Sequence, residues 1–367
     1  MSKASEARYE LMPLHPSLPL DKLSGIFHNT SASYKFYWFL SILDLINESS
    51  TVITFKELNI RMIALSWHTI NYHKLSFGTQ DKLAISIKNI IQKSEGEINE
   101  NEDKDKLIKY LNSNYDKYKQ EINHFNKKVP YHFLSPFLGT CKNNQEWIEK
   151  SNASFEQRKP CVYRLFKGAI EIHPEWKRYF QIHQKFLIDF ILWNFSYKYL
   201  QKYNPNVPNI SGKLIHLSNR KNLSKQSKLW KIYAESVPLI SIYSRKKIFD
   251  YDLDHFVPWS FVSHDQIWNL APIEKSLNSS KSNKLPNSKL VKGFCEQQYS
   301  LLQVLNRKKQ VKEFKNTIED YSNIFHAQTT EILEMEEYKF VSTLKHHIDP
   351  LIQFASNMGF QKWEHNQ

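Results

Sequence analysis

Apolar positions recur at helical spacing through most of the chain. Tyr34, Trp38, Ser41, Ile42 and Leu45 fall on one side of a helix that Thr30 or Ser31 can cap, and Leu58, Met62 and Leu65 do the same within residues 54–67. Residues 81–91 repeat the pattern with Leu83, Ile87 and Ile91. Residues 94–106 hold hardly any apolar side chain besides Ile98, which predicts a solvated loop or joint. A long polar helix is expected over 107–125, ending before Pro130. Val162, Leu165, Ile170 and Ile172 alternate around Gly168, a hairpin pattern. Residues 175–203 form the longest helical stretch, so aromatic on several sides that it reads as a buried spine for the part that follows. Residues 290–360 are helical again, with Leu301, Leu302, Leu305, Ile318, Ile332, Leu333, Leu344 and Leu351 as interior positions and His346-His347 near a helix end.

One stretch breaks this rhythm. In residues 247–254 Phe249, Tyr251 and Leu253 alternate with Asp250, Asp252 and Asp254, which predicts a short strand ending at Asp254-His255. Pro258 cannot extend a ladder, because it has no N–H to give. Ser263-His264-Asp265 reads as loop, and residues 267–271 as a second strand cut short by Pro272. From Ser276 a short helix carries Asn278 and Lys281, three apart and so on one face, and Pro286 would close it. The expected fold is therefore mostly α, with a small embedded strand-loop-strand-helix unit at about 245–290, an α+β arrangement. The expected division is a helical region over 1–140 that selects a target or partner, and a helical scaffold over 141–367 that holds the motif.

The residue types in this stretch suit phosphodiester hydrolysis. That reaction needs an activated water, a cation opposite it and a means of holding the activator still. An imidazole ionises near neutral pH, which suits His255 to take a proton from water. Asp254 leaves the strand end on the other face, where its carboxylate and the Asn278 amide oxygen can share a hard cation. Oxygen donors with positions left for water and phosphate favour Mg²⁺ or Mn²⁺ over Zn²⁺. Asn269 is placed to fix the loop carrying His255, and Lys281 to face a phosphate. Singly, a strand-end histidine, a turn aspartate and a helix-capping asparagine are ordinary; only the set has chemical meaning.

This set resembles the HNH (ββα-metal) endonuclease motif. It is most similar to the HNH domain of RNA-guided CRISPR effector nucleases, with which residues 254–286 align without a gap, sharing DH, VP, SF, the two asparagines, KS and the final proline. The resemblance implies that His255 is the general base, that Asp254 and Asn278 bind Mg²⁺, and that Asn269 supports the base loop. It further implies a bacterial DNA endonuclease in restriction or anti-phage defence, whether acting alone or as one subunit of a defence system. A nucleic-acid-binding protein with a degenerate site is the alternative. Asn278 stands where many relatives have histidine, and the paired CxxC motifs of many HNH proteins are missing, since Cys141, Cys161 and Cys295 lie far apart. Some other structure must then brace so small a unit.

Composition adds a partner class. The chain has 367 residues, with 50 Lys and Arg against 37 Asp and Glu, a net charge of +13 that suits a polyanion. Lysines and arginines crowd residues 213–247, a natural clamp for a nucleic-acid backbone, and Arg245, Lys246, Lys247 and Lys284 are the expected DNA contacts. No Walker or dinucleotide-binding pattern occurs. Scattered cysteines and the lack of a signal peptide point to a cytoplasmic protein, and no run is apolar and long enough to predict a membrane span.

Overall fold

The computed structural model describes residues 12–215, 222–308 and 312–364, so Arg220 and Lys221 of the basic stretch lie outside the described residues. The fold is mostly helical with two small antiparallel sheets, as the periodicity predicts. It divides into two compact units, the first running to Pro205 and the second starting at Asn206.

In the first unit the helices Tyr34–Leu45 and Phe55–Asn71 pack together. Thr54 starts the latter with a capping box: its hydroxyl accepts the Glu57 N–H at 3.2 Å while the Glu57 carboxylate accepts the Thr54 N–H at 2.8 Å. The expected hairpin is present as β2 (Tyr163–Phe166) and β3 (Ala169–Ile172), joined by Lys167 and Gly168, whose φ of +84° only glycine adopts without strain. A third strand, β1 (Val52–Thr54), joins the other edge of β3 with Ile53 opposite Ile170. Three residues are too few to display an alternation, which is why the pattern did not predict it. This sheet ties residues 163–172 to the N-terminal helices, so a boundary at 140 would cut through it. The boundary falls at 205 instead.

Three further expectations are corrected. The helix expected over 107–125 is two, Lys104–Ser113 and Tyr115–Asn123, broken at Asn114. The aromatic stretch 175–203 is not one buried rod: it runs as Pro174–Ile182, Gln184–Asn194, a π turn over Phe195–Leu200 and Gln201–Tyr203, with Ile182, Trp193 and Tyr197 more than half exposed. It belongs to the first unit, whereas the core around the ββα stretch is built by the second unit's own helices. Finally, Pro350 does not follow a helix end; the helix Glu337–Asn357 continues through it, leaving His346 and His347 mid-helix.

The second unit supplies the brace that cysteines do not. Helices Ser224–Ala234, Leu290–Arg307, Lys312–Phe325 and Glu337–Asn357 share one apolar core with the ββα stretch. The Phe256 and Phe294 rings stack at 4.0 Å, Gln298 donates to Leu270 O at 2.7 Å, and Tyr321 donates to Gln298 at 2.6 Å. Asp320 accepts the Ile267 N–H at 3.1 Å, and burial pushes its carboxyl up to about 6. Aromatic packing plus buried hydrogen bonds thus perform the work of a zinc clamp.

Candidate functional site

The strand β4 (Asp252–His255) pairs antiparallel with β5 (Leu270–Ile273), Asp254 opposite Ala271 and His255 opposite Leu270. Both strands are shorter than their sequence patterns suggest. Residues 249–251 have no partner strand beyond Ile273, so the alternation there is not paired, and Ile267–Asn269 turn as a single 3-10 helix before β5 begins. Pro272 sits inside β5, which a two-stranded ribbon tolerates because alternate N–H groups point away from the partner. The short helix Lys275–Lys281 follows, and it is Ser282 with φ 45°, rather than Pro286, that ends it.

Alternation along β4 sends Asp252 and Asp254 to one face and His255 to the other. The helix lies over the carboxylate face. Asn278 donates to Asp252 Oδ2 at 3.0 Å, and Lys281 lies 3.0 and 2.9 Å from the two oxygens of Asp254 while also donating to His255 O at 2.9 Å. Tyr243 donates to Asp254 Oδ2 at 2.5 Å, and burial with the adjacent carboxylate drives that phenol far above its usual range. Asp254 is 5 % exposed and Lys281 fully buried. Lys281 was expected to face a phosphate; its ammonium instead neutralises Asp254, since a buried carboxylate is too costly to leave unpaired.

On the opposite face His255 Nε2 lies 3.0 Å from Asp265 Oδ1, both side chains mostly buried. A carboxylate accepts, so Nε2 carries the proton and Nδ1 is the basic nitrogen. Burial raises the Asp265 carboxyl, but the His255 hydrogen bond and neighbouring positive charge outweigh it and hold the group below its usual range. Next to it His264 is pushed down to about 4, first by burial and then by the charges of His255 and Lys213, so it stays neutral beside the His255 imidazole. Asn269, wholly buried, grips one residue two beyond His255: its Oδ1 accepts the Val257 N–H at 2.9 Å and its Nδ2 donates to Val257 O at 2.8 Å. The Phe256 N–H adds a bond to Asn269 O at 2.8 Å. The end of β4 is therefore held where His255 leaves it.

The expected DNA contacts flank the motif at both ends. Arg245, Lys246 and Lys247 are exposed on the turn before β4, where Arg245 adopts φ 60°, and Lys284 is half-buried just past the helix. Glu274 fixes that turn by accepting from Ser241 at 2.7 Å and from Ser244. Lys213, counted among the basic residues by sequence, is instead buried. Sequence reasoning passed over Asp265, Asp252 and Tyr243. Asp252 could have been found from its two-residue offset to Asp254; Asp265 and Tyr243 carry no local signal, because the loops that bring them in are placed by the tertiary fold.

A metal's donors are available in kind. Among the described residues no three His, Cys, Asp or Glu side chains cluster to hold an ion, and the Asn278 amide bonds Asp252 rather than meeting Asp254, with which it was expected to share a cation.

Two antiparallel strands and a helix, with a carboxylate face and an imidazole face, make up a ββα unit. The model of the HNH endonuclease family matches residues 241–287, which supports an HNH-domain protein. No curated protein and no solved structure matches the chain. No helix of the described residues is long and apolar enough to cross a membrane.

Proposed function

We propose that the chain is a metal-dependent HNH endonuclease that hydrolyses DNA phosphodiester bonds. The observation that supports this best is the opposition across β4 of an oxygen-rich face (Asp252, Asp254, Asn278) and an imidazole held by a carboxylate (His255 and Asp265). His255 Nδ1 takes the proton from the attacking water, Asp265 stabilises the imidazolium that forms, and Asn269 keeps the strand end in register. Asp254 and Asn278 would hold Mg²⁺ or Mn²⁺, with Asp252 adjoining. The chemistry such an ion supplies when bound is polarisation of the phosphoryl group and neutralisation of charge on the leaving oxygen. Lys281 acts on the site through Asp254, whose charge it balances and whose carboxylate it helps hold in place. Arg245, Lys246, Lys247 and Lys284 hold the DNA backbone. A bacterial restriction or anti-phage role, alone or within a multi-protein system, follows from the sequence resemblance to CRISPR effector HNH domains.

Supercoiled plasmid incubated with the pure protein tests the reading. Nicking is expected with Mg²⁺ or Mn²⁺, none with EDTA, and a loss on the order of 10²- to 10⁴-fold in His255→Ala. The buried Lys281–Asp254 pair favours one second reading, a site that stays closed until a partner or the correct DNA opens it. In that case the pure protein binds DNA without cutting, and cutting appears when the partner is added. Binding with no cutting under any condition would identify a degenerate site.

A further inference from the structure

The first unit has a pocket of about 610 Å³ that the nuclease reading does not use. Four lysines line it, Lys35, Lys82, Lys127 and Lys128, together with His124 and His132, and no aspartate or glutamate does. None of the four lysines makes an ion pair among the described residues. Lys35 is half-buried and its ammonium reaches only the carbonyls of Ile26 and Asn29, each at 3.3 Å. Asp81, which precedes Lys82, is buried and already committed: its carboxylate accepts the Ser33 N–H at 2.6 Å, the Leu83 N–H at 2.9 Å and the Tyr199 hydroxyl at 3.2 Å. The field reaches both imidazoles, since burial first and then Lys127 and Lys82 depress His124, while burial and then Lys128 and Lys35 depress His132.

Uncompensated like charges gathered in a concavity repel one another, and an anion in the pocket relieves that repulsion. The pocket also has aromatic wall. Tyr34 and Phe125 meet edge to face with centroids 5.2 Å apart, and the Tyr34 hydroxyl is pinned by the Lys82 N–H at 2.7 Å. Phe125 is buried and holds the half-buried Tyr34 ring in place, so the lysines offer charge for a phosphate and Tyr34 an aromatic surface for a base.

We propose that this pocket binds a nucleoside phosphate, with its phosphate on the lysines and its base against Tyr34. The ligand is either a free nucleotide or a nucleotide unit of a nucleic-acid strand, and the pocket's chemistry is the same for both. Direct binding is measured in EDTA, so that no cutting is involved and the result stands apart from the nuclease reading. The two probes are ATP and a short 5′-phosphorylated single-stranded DNA. Saturable binding of one of them to the full chain is expected, weakened about tenfold or more by the double variant Lys127→Glu, Lys128→Glu and unchanged by Lys185→Glu, an exposed lysine elsewhere in the unit. Both lysines of the double variant are exposed, so charge reversal there buries nothing. Loss confined to ATP identifies a free nucleotide, and loss confined to DNA identifies a strand. Binding of neither probe, or binding indifferent to the double variant, overturns the proposal.

Discussion

Lys281 lies within 3.0 Å of both carboxylate oxygens of Asp254, and neither side chain reaches solvent appreciably. The pair joins the helix to β4 and couples stability to the candidate site. Removing one partner strands the other's charge in a poorly solvated place. Lys281→Met is expected to cost about 3–5 kcal/mol, and the double variant Lys281→Met, Asp254→Asn distinctly less, because the second change removes the orphaned charge. Urea unfolding of the three proteins decides it; equal losses in single and double variants would mean the pair is not coupled.

Asp265 has a separate task. It touches His255 and not the carboxylate face, so its loss should disturb the imidazole's orientation without unfolding the unit. Asp265→Asn is expected to slow plasmid nicking on the order of 10- to 100-fold, with DNA binding unchanged, as for other carboxylates that orient a working imidazole. A variant as fast as the parent would remove Asp265 from the mechanism.

Asn269 gives both an acceptor and a donor to Val257, and no water can replace them in a wholly buried position. Asn269→Ala should destabilise by roughly 1–3 kcal/mol for each buried backbone group left unpaired. Asn269→Asp keeps the acceptor but sets an unpaired carboxylate against the Val257 carbonyl in a wholly buried place, so at neutral pH it should be at least as destabilised as the alanine variant in thermal unfolding. An alanine variant as stable as the parent would contradict the clamp.

Lys213 carries a pH signature. Burial lowers its ammonium to about 7, whereas an unfolded lysine titrates near 10.4. Between these values the unfolded chain binds more protons, so this group's contribution to stability rises with pH; below pH 7 both states are charged and the folded one bears the whole penalty. Lys213→Met should therefore stabilise the second unit, on the order of 1–3 kcal/mol at pH 6, with the gain shrinking by pH 9. Urea midpoints at the two pH values test it, and a gain independent of pH would refute the buried-charge account.

Much was legible in the residues alone. Helical periodicity located the main helices, Gly168 marked the hairpin, and the order Asp254, His255, Asn269, Asn278, Lys281 announced a strand-loop-strand-helix unit. These features are local: period, turn residue and spacing are properties of short segments, and short segments are what a sequence displays directly.

What only the tertiary structure decided is which groups meet across distance. The sequence could place Lys281 on the same face as Asn278, yet only the packing of that helix on β4 buried the ammonium against Asp254 and set Asn278 on Asp252. Asp265 became the partner of His255, and Gln298 and Asp320 became props of the unit, because folding closes loops of lengths no local pattern encodes. The unit boundary at 205 followed from β1 joining β3, two segments more than a hundred residues apart. Periodicity names the surface an element will bury; it is the closing of the chain that chooses what is buried against it.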